Sequence, residues 1–434
     1  MASTDVTDAI AADLLPNRPL AAADYRTLAL AALGGALEFY DFIIYVFFAT
    51  MIGQLFFPPD SPDWLRQVQT FGVFAVGYFV RPLGGIVMAH FGDVAGRKRM
   101  FTLSIFLMAV STLGMGLLPT YATAGALAPV ALVLLRIVQG AAIGGEVPGA
   151  WVFVAEHVPA RRVGFACGVL TAGLTVGILL GSLVAGAVNA AFAPAGIAAW
   201  AWRLPFLLGG VFGLASVQLR RLLEETPIFR EIQQRKALAA ELPLKTVLRG
   251  HRGAVVLSIL LTWLLSAAIV VVILMTPALL QKQGIPLPAA LAANSVATIG
   301  LTIGCILAGA LIDRIGAGRF FLAGCLLLAA AVFLFYTRVG AEPALLGPLY
   351  GLTGLCVGVV GGVPFVMVRA FPAAVRFTGV SFSYNVAYAV FGGLTPLVVP
   401  LLMAVNPLAH LYYVLALCAL GCGIGLWLLA AGRG

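Results

Sequence analysis

Twelve long apolar runs leave this chain very few folds to choose from. They fall near residues 28–50, 68–90, 100–118, 129–155, 164–190 and 203–219, then near 254–280, 289–312, 320–337, 345–368, 377–404 and 410–430. A helix needs roughly 20 apolar residues to cross ~30 Å of hydrocarbon. Only helices and closed barrels satisfy every backbone polar group there. Charged residues make up 10% of the chain, against about 25% in soluble domains, too few to clothe a water-facing surface. The expected fold class is an all-α membrane protein: twelve transmembrane helices in two pseudo-symmetric six-helix bundles. The expected layout is a tail over 1–26, a bundle over 27–219, a linker over 220–252 and a second bundle over 253–434.

Two short strings indicate that one half repeats the other. His90–Arg99 reads HFGDVAGRKR and Ala310–Arg319 reads ALIDRIGAGR. In each, an apolar run ends at an acid (Asp93, Asp313), a Gly follows three residues on, and basic residues come next. The acids are 220 residues apart in a chain of 434. A second pair, VPARRVGF from Val158 and FPAAVRFTG from Phe371, begins 213 residues apart. Two landmarks at nearly one offset point to a duplicated unit, a common build for transporters.

Charge sets the orientation. The first tail, the central stretch, the last residues and the loops after runs two, four, eight and ten hold twenty basic residues. The opposite side holds four (Arg66, Arg203, Lys282, Arg338), and Arg81 and Arg136, inside predicted helices, complete the 26. Both termini and the linker are therefore expected in the cytoplasm. The net charge of +9 is mostly topological and calls for no nucleic-acid partner.

Asp5, Asp8 and Asp13 precede the first Arg, unlike the basic opening of a signal peptide, so a short cytoplasmic tail is expected. The linker, beginning RRLLEETPIFREIQQRK, should be partly helical, with Thr226-Pro227 as a helix start. No soluble domain is expected beyond the last helix. All six cysteines fall in predicted helices; Cys418 and Cys422 share a face but have no His or acid beside them, so packing is expected and a metal site is not. Gly173, Gly177 and Gly181, like Gly354, Gly358 and Gly362, recur every fourth residue. Such spacing lets backbones approach closely in lipid, and is compatible with faces that slide as the halves rock.

A charge at the bilayer centre costs at least ~2.5–3.5 kcal/mol on insertion scales, so intramembrane ionisable residues are functional candidates. Glu38 and Asp41 lie in EFYDF, about ten residues or ~15 Å along the first helix, near the midplane. Their spacing puts both on one face. Two acids together repel, so one can hold a proton at neutral pH. They are the proton-coupling candidates, against the plainer reading that they only pair with a nearby Arg. Arg136, in LLRIVQGAAIGGE, offers a planar fork of donors to a carboxylate, from a side chain or from a substrate. Arg81 in FVRPLGG and Glu146 lie further towards the cytoplasm and are assigned to an inner gate.

The last six helices have no acid deep inside them, since Asp313 stands at a helix end, so any proton carrier is expected in the first six. They offer Tyr384, Asn385 and Tyr388 in SFSYNVAY, the two tyrosines on one face, able to bond a solute or simply to pack. With Arg136 these are the substrate-binding candidates. Asp93 and Asp313 are expected to cap the next helix or to pair across the seam between halves, with Arg314. Glu156, beside Arg161 and Arg162, and Glu225 would extend that network. Partly buried pairs there would hold the cytoplasmic side shut.

From EFYDF through VRPLGG, HFGDVAGRKR, LLRIVQGAAIGGE, EHVPARRVGF, WRLPF, LEETPIF and ALIDRIG to FPAAVRFTGVSFSYN, the chain resembles the major facilitator superfamily, and within it the metabolite:proton symporters. The resemblance spans residues 33–400. It implies a two-lobed twelve-helix fold, a central site and proton-coupled uptake of a small polar metabolite by alternating access. It implies roles for Arg136 and the Glu38/Asp41 pair in coupling or binding. Two departures stand out: Ala89 replaces the usual Gly before the loop Asp, and Val94 replaces the usual Arg after it, leaving Arg97 as the partner for Asp93 in the gate. Members of that family carry carboxylates such as citrate, 2-oxoglutarate and shikimate-like acids, or zwitterions such as betaine and proline. Intramembrane Arg favours the organic acid.

Other functions fit less well. A drug:proton antiporter commonly shows Gly-Pro in its fifth helix, and residues 164–190 contain no Pro. A sensor would be expected to carry an output domain. No HExxH, nucleophile elbow or phosphate loop suggests an enzyme. The expectation is a monomeric symporter with no cofactor, driven by the proton gradient.

Overall fold

In a computed structural model, residues 18–95, 97–221, 243–340 and 342–432 are described, apart from the side chains of 63, 64, 67, 71, 89–95, 97–102, 219–221 and 243. The described residues are mostly helical, with no strand among them. Ten of their helices are long and apolar enough to span a membrane. In chain order these are α1 (Ala22–Phe47), α2 (Val68–Met88), α4 (Leu127–His157), α5 (Ala160–Ala191), α7 (Arg252–Lys282), α8 (Leu287–Ile315), α9 (Ala317–Arg338), α10 (Pro343–Ala370), α11 (Ala373–Val405) and α12 (Ala409–Ala430). The shorter apolar helix α3 (Leu103–Leu117) and the pair α6 (Pro194–Ala201 with Arg203–Gln218, bent by 47°) take the two remaining places. The order is the one the apolar runs predicted. Residues 1–17, most of the linker with Thr226-Pro227, and Glu225 lie outside the described residues.

Prolines explain where the rods lose α-helical regularity. Each lacks an N–H for the carbonyl four residues back. Helix α2 breaks at Val80, just before Pro82; α7 widens to a π-helical stretch over Ala268–Met275 ahead of Pro277; α11 does so over Tyr388–Gly392 ahead of Pro396. Helix α10 instead tightens to a 3₁₀ segment over Gly358–Gly362 before Pro364. Such interruptions leave carbonyls free for side chains. In α7 two are taken, Val271 O by Thr276 and Val272 O by Tyr350.

Lipid tails are as apolar as leucine, so close van der Waals approach and buried hydrogen bonds hold helices together here. The regular glycines supply that approach within each half. Gly173 and Gly177 lie against the Ala32 and Ala36 carbonyls of α1, and Gly354 and Gly358 of α10 lie against Ala297 and Gly304 of α8. The stripes therefore seal helices of the same half rather than faces that slide between halves. A different set lines the seam: Gly164 and Gly168 of α5 meet Gly309 of α8. Hydroxyls continue that seam, Thr175 with Thr302 at 2.8 Å and Ser182 with Ser295 at 3.2 Å. The other seam joins α2 to α11, where Tyr78 stacks on Tyr388 at 5.5 Å between ring centroids. Outward-facing side chains such as Leu401 and Val405, 70% and 88% exposed, are apolar, as lipid contact requires.

Candidate functional site

Helix α1 places Glu38 and Asp41 on one face, and the tertiary structure turns that face towards α6 and α3. The Tyr40 hydroxyl donates to Pro205 O of α6 at 2.9 Å, fixing the rotation of α1. Ser216 of α6 donates to Glu38 Oε1 at 2.8 Å. Asp41 is 1% exposed, and neither carboxyl oxygen has a hydrogen-bond partner. Its niche exists because α6 has glycines there. A Cβ on Gly209 would come within 2.6 Å of Asp41 Oδ1, and one on Gly213 within 2.8 Å of Oδ2. The Thr112 methyl and Ala109 of α3 border the same two positions. Leaving a carboxylate there with no donor is far more costly than leaving a neutral acid.

Arg136 lies beside this niche but does not pair with Asp41. Its Nη1 donates to Gln139 Oε1 at 2.5 Å and to Phe42 O at 3.4 Å. Its Nε and Nη2 have no partner, and the guanidinium lies 4.6 Å from the Phe42 ring centroid and 4.5 Å from that of Tyr45. Gln139 in turn donates from Nε2 to Asp41 O at 2.9 Å and to Thr112 Oγ1 at 2.8 Å. Arg136 thus sits within the first six helices, against Gly77 of α2.

Arg81, assigned from sequence to the inner gate, occupies the boundary between the halves. It is fully buried, and its guanidinium lies 4.8–5.5 Å from four ring centroids: Phe42 and Tyr78 from the first half, Tyr384 and Tyr388 from the second. Trp151 of α4 meets Tyr384 edge-on at 5.0 Å. The Nε and Nη2 atoms of Arg81 have no partner. These two nitrogens form the fork that grips a carboxylate through two parallel bonds. Rings supply cation–π stabilisation for the guanidinium without occupying its donors. The substrate candidates Tyr384 and Tyr388 therefore stand together at Arg81. Asn385 lies in the α4–α11 contact, donating to Gly144 O at 2.5 Å and Ser381 O at 2.8 Å, with Oδ1 unpartnered.

The face bearing most basic residues is closed by polar contacts across the seam. Asp313 accepts the Gly164 and Phe165 N–H groups, each at 2.8 Å. It was expected to cap the helix that follows it or to pair with basic residues across the seam; it does cross the seam, but to cap the start of α5, where free N–H groups and the helix dipole favour an anion. Glu156 of α4 pairs with Arg376 of α11 at 3.3 Å, both side chains buried. Glu146 faces α3, accepting from Ser104 at 2.9 Å. Arg314 is exposed at the end of α8. The side chains of Asp93 and Arg97 lie outside the described residues. Sequence reasoning missed Gln139 and Arg376. Arg376 read as an ordinary loop charge, and an uncharged Gln in an apolar run gives no signal except its place one turn from Arg136.

Residues 30–396 match the family profile described as Major Facilitator Superfamily. The chain is 31% identical over 414 residues to a putative proline/betaine transporter of Staphylococcus aureus (strain COL), covering 91% of this chain and 86% of that protein. It is 32% identical over 401 residues to the shikimate transporter of Escherichia coli (strain K12), covering 89% and 90%. It is 29% identical over 428 residues to the glycine betaine/proline/ectoine/pipecolic acid transporter OusA of Dickeya dadantii (strain 3937), covering 93% and 83%. Among solved structures, the proton:xylose symporter XylE bound to 6-bromo-6-deoxy-D-glucose superposes with a TM-score of 0.76 at 17% identity, covering 94% and 95% of the two chains. At that identity the likeness is one of fold.

Proposed function

The chain belongs to the major facilitator superfamily, and we propose that it is a proton-coupled symporter that takes up a small carboxylate-bearing metabolite by alternating access. The observation that carries the substrate class is the unpartnered Nε/Nη2 fork of Arg81, buried among rings from both halves. A buried cation with no acid beside it is costly, and an arriving carboxylate would relieve that cost through two charge-assisted bonds. Because the rings come from both halves, a substrate held there would bias how the halves close on it. Tyr384 and Tyr388 contribute the second wall, and Asn385 ties that wall to α4.

Asp41 is the acid proposed to carry the proton, with Glu38 beside it held by Ser216. Protonated, Asp41 tolerates its niche; deprotonated, it would need a donor that only a rearrangement can bring. The basic face, with both termini, is assigned to the cytoplasm on the charge asymmetry of its loops. Asp313 and the Glu156–Arg376 pair would then serve as the inner gate, where the sequence also put Asp93, Arg97, Glu146 and Arg314. No cofactor is invoked, and a single chain suffices.

Organic acids are the first reading, since the only charge the ring cluster itself presents is positive. A zwitterion is the second, favoured by rings able to accept an ammonium group and by the names of two relatives. Proteoliposomes under an imposed inward proton gradient decide between them. Labelled shikimate, 2-oxoglutarate, citrate, proline and betaine are each offered to the wild type, to Arg81→Gln and to Asp41→Asn. Gradient-driven uptake of one acid, lost in both variants, is the expected result. Uptake indifferent to the gradient and normal in Asp41→Asn would overturn the proton assignment.

A further inference from the structure

We propose that Gln139 is a positioning residue that links the proton site to the arginines, passing the protonation state of Asp41 on to Arg136; this rests on the reading of Asp41 as the proton carrier. Gln139 is fully buried, and both ends of its amide are in use. The direction of every bond is determined. Thr112 Oγ1 spends its hydrogen on Met108 O at 3.0 Å, so it can only accept from Gln139 Nε2. Arg136 has donors alone, so Gln139 Oε1 must be turned towards it. The amide therefore stands between Arg136 and the α1 segment that carries Asp41, holding main-chain oxygen rather than the carboxyl.

Loss of the Asp41 proton to water would create a carboxylate bordered by Gly209, Gly213, Ala109 and the Thr112 methyl, none of which donates. The titratable and charged groups around this region are Glu38 and Tyr40 on α1, Arg136 on α4 and, across Phe42, Arg81 on α2; Tyr45 and Tyr78 face Arg136. Helices α3 and α6 bring no charge to it. An amide donor at hand is Gln139 Nε2, already bonded to the main-chain oxygen of Asp41 itself. Rotation of the amide towards the carboxylate withdraws Oε1 from Arg136. Arg136 Nη1 is then left with Phe42 O, on the residue whose ring also touches Arg81. Deprotonation at Asp41 is thereby felt at the ring cluster without any Asp41–Arg136 contact.

The test needs no substrate. Infrared difference spectra between acid and alkaline pH are recorded on the purified full-length protein in lipid, with and without ¹⁵N-labelled arginine. In the wild type a carboxylic band, absent from Asp41→Asn, titrates together with isotope-sensitive guanidinium bands, absent from Arg136→Lys. In Gln139→Met, of similar shape but without the amide, the carboxylic band still titrates and the guanidinium response is lost. Gln139→Leu, which also lacks the amide and adds no titratable group, gives the same loss and serves where Gln139→Met does not fold. A guanidinium response that persists in these variants overturns the relay and leaves Gln139 a packing residue. Absence of any titrating Asp41 band in the wild type instead defeats the proton assignment, and the relay with it.

Discussion

Arg376 Nη1 of α11 stands 3.3 Å from Glu156 Oε1 of α4, with the two side chains 1% and 0% exposed. Arg376 also donates from Nε to Phe371 O at 3.3 Å, so the pair bolts the start of α11 to the end of α4. Removing one partner of a buried pair strands the other, typically at ~3–5 kcal/mol. Glu156→Gln should therefore favour states in which the basic face opens and water reaches Arg376. A Cys placed at Ser381, buried in the same seam, should be alkylated faster in Glu156→Gln than in the parent. An unchanged rate would mean that the pair stabilises the fold without gating it.

Asp313 makes a matching contact on the other seam, through main-chain groups instead of a side chain. Asp313→Asn keeps one accepting oxygen but turns an NH₂ group towards a second N–H donor, at a cost of about 1–3 kcal/mol. Amide exchange at Gly164 and Phe165 should then rise about tenfold, as a local opening of that size implies. Hydrogen–deuterium exchange followed on a peptide covering the start of α5 measures this directly.

The glycine stripes predict unequal tolerance along one helix. Gly173 has the Ala32 backbone where a side chain would go, whereas Gly186 has no atom within 4 Å of an added Cβ. Gly173→Leu should lower the unfolding temperature in detergent, reflecting overpacking of about 1–3 kcal/mol or more. Gly186→Leu should leave it unchanged. Equal effects would show that the α1–α5 approach is not as close as described.

At the ring cluster, charge and shape can be separated. Arg81→Lys keeps the positive charge but cannot offer two parallel donors. Uptake efficiency for the carboxylate substrate should fall about 100-fold, the scale of a lost charge-assisted hydrogen bond of ~2–3 kcal/mol. Tyr388→Phe, which keeps the ring, should cost far less. Kinetics of labelled uptake in proteoliposomes make the comparison, and near-normal Arg81→Lys would move the carboxylate site elsewhere.

Much of the architecture was legible because its signals are local. An apolar run of about 20 residues can satisfy its backbone in lipid only as a helix, so EFYDF, FVRPLGG and SFSYNVAY could each be set on a helix from sequence alone. The spacing of Glu38 and Asp41, and of Tyr384 and Tyr388, placed each pair on one helix face for the same reason. The direction of those faces was not legible. Arg81 was read as a gate residue from its depth along α2; its helix turns it to the boundary, among four rings carried by three helices. Asp313 was expected to cap the neighbouring helix or to pair with basic residues across the seam; it crosses the seam, but to free N–H groups almost 150 residues away in sequence.

By itself, then, the sequence determined that this chain crosses a membrane in twelve helices and that ionisable groups lie deep among the first six. Those properties depend on composition and on period along one segment. Only the tertiary structure decided that Asp41 is enclosed by glycines of α6, that Gln139 stands between it and Arg136, and that Arg81 keeps a free donor fork between the two halves. Each of these depends on the rotation and register of one helix against another. In lipid that rotation is set by small-residue contacts and a few buried hydrogen bonds, which no single segment encodes.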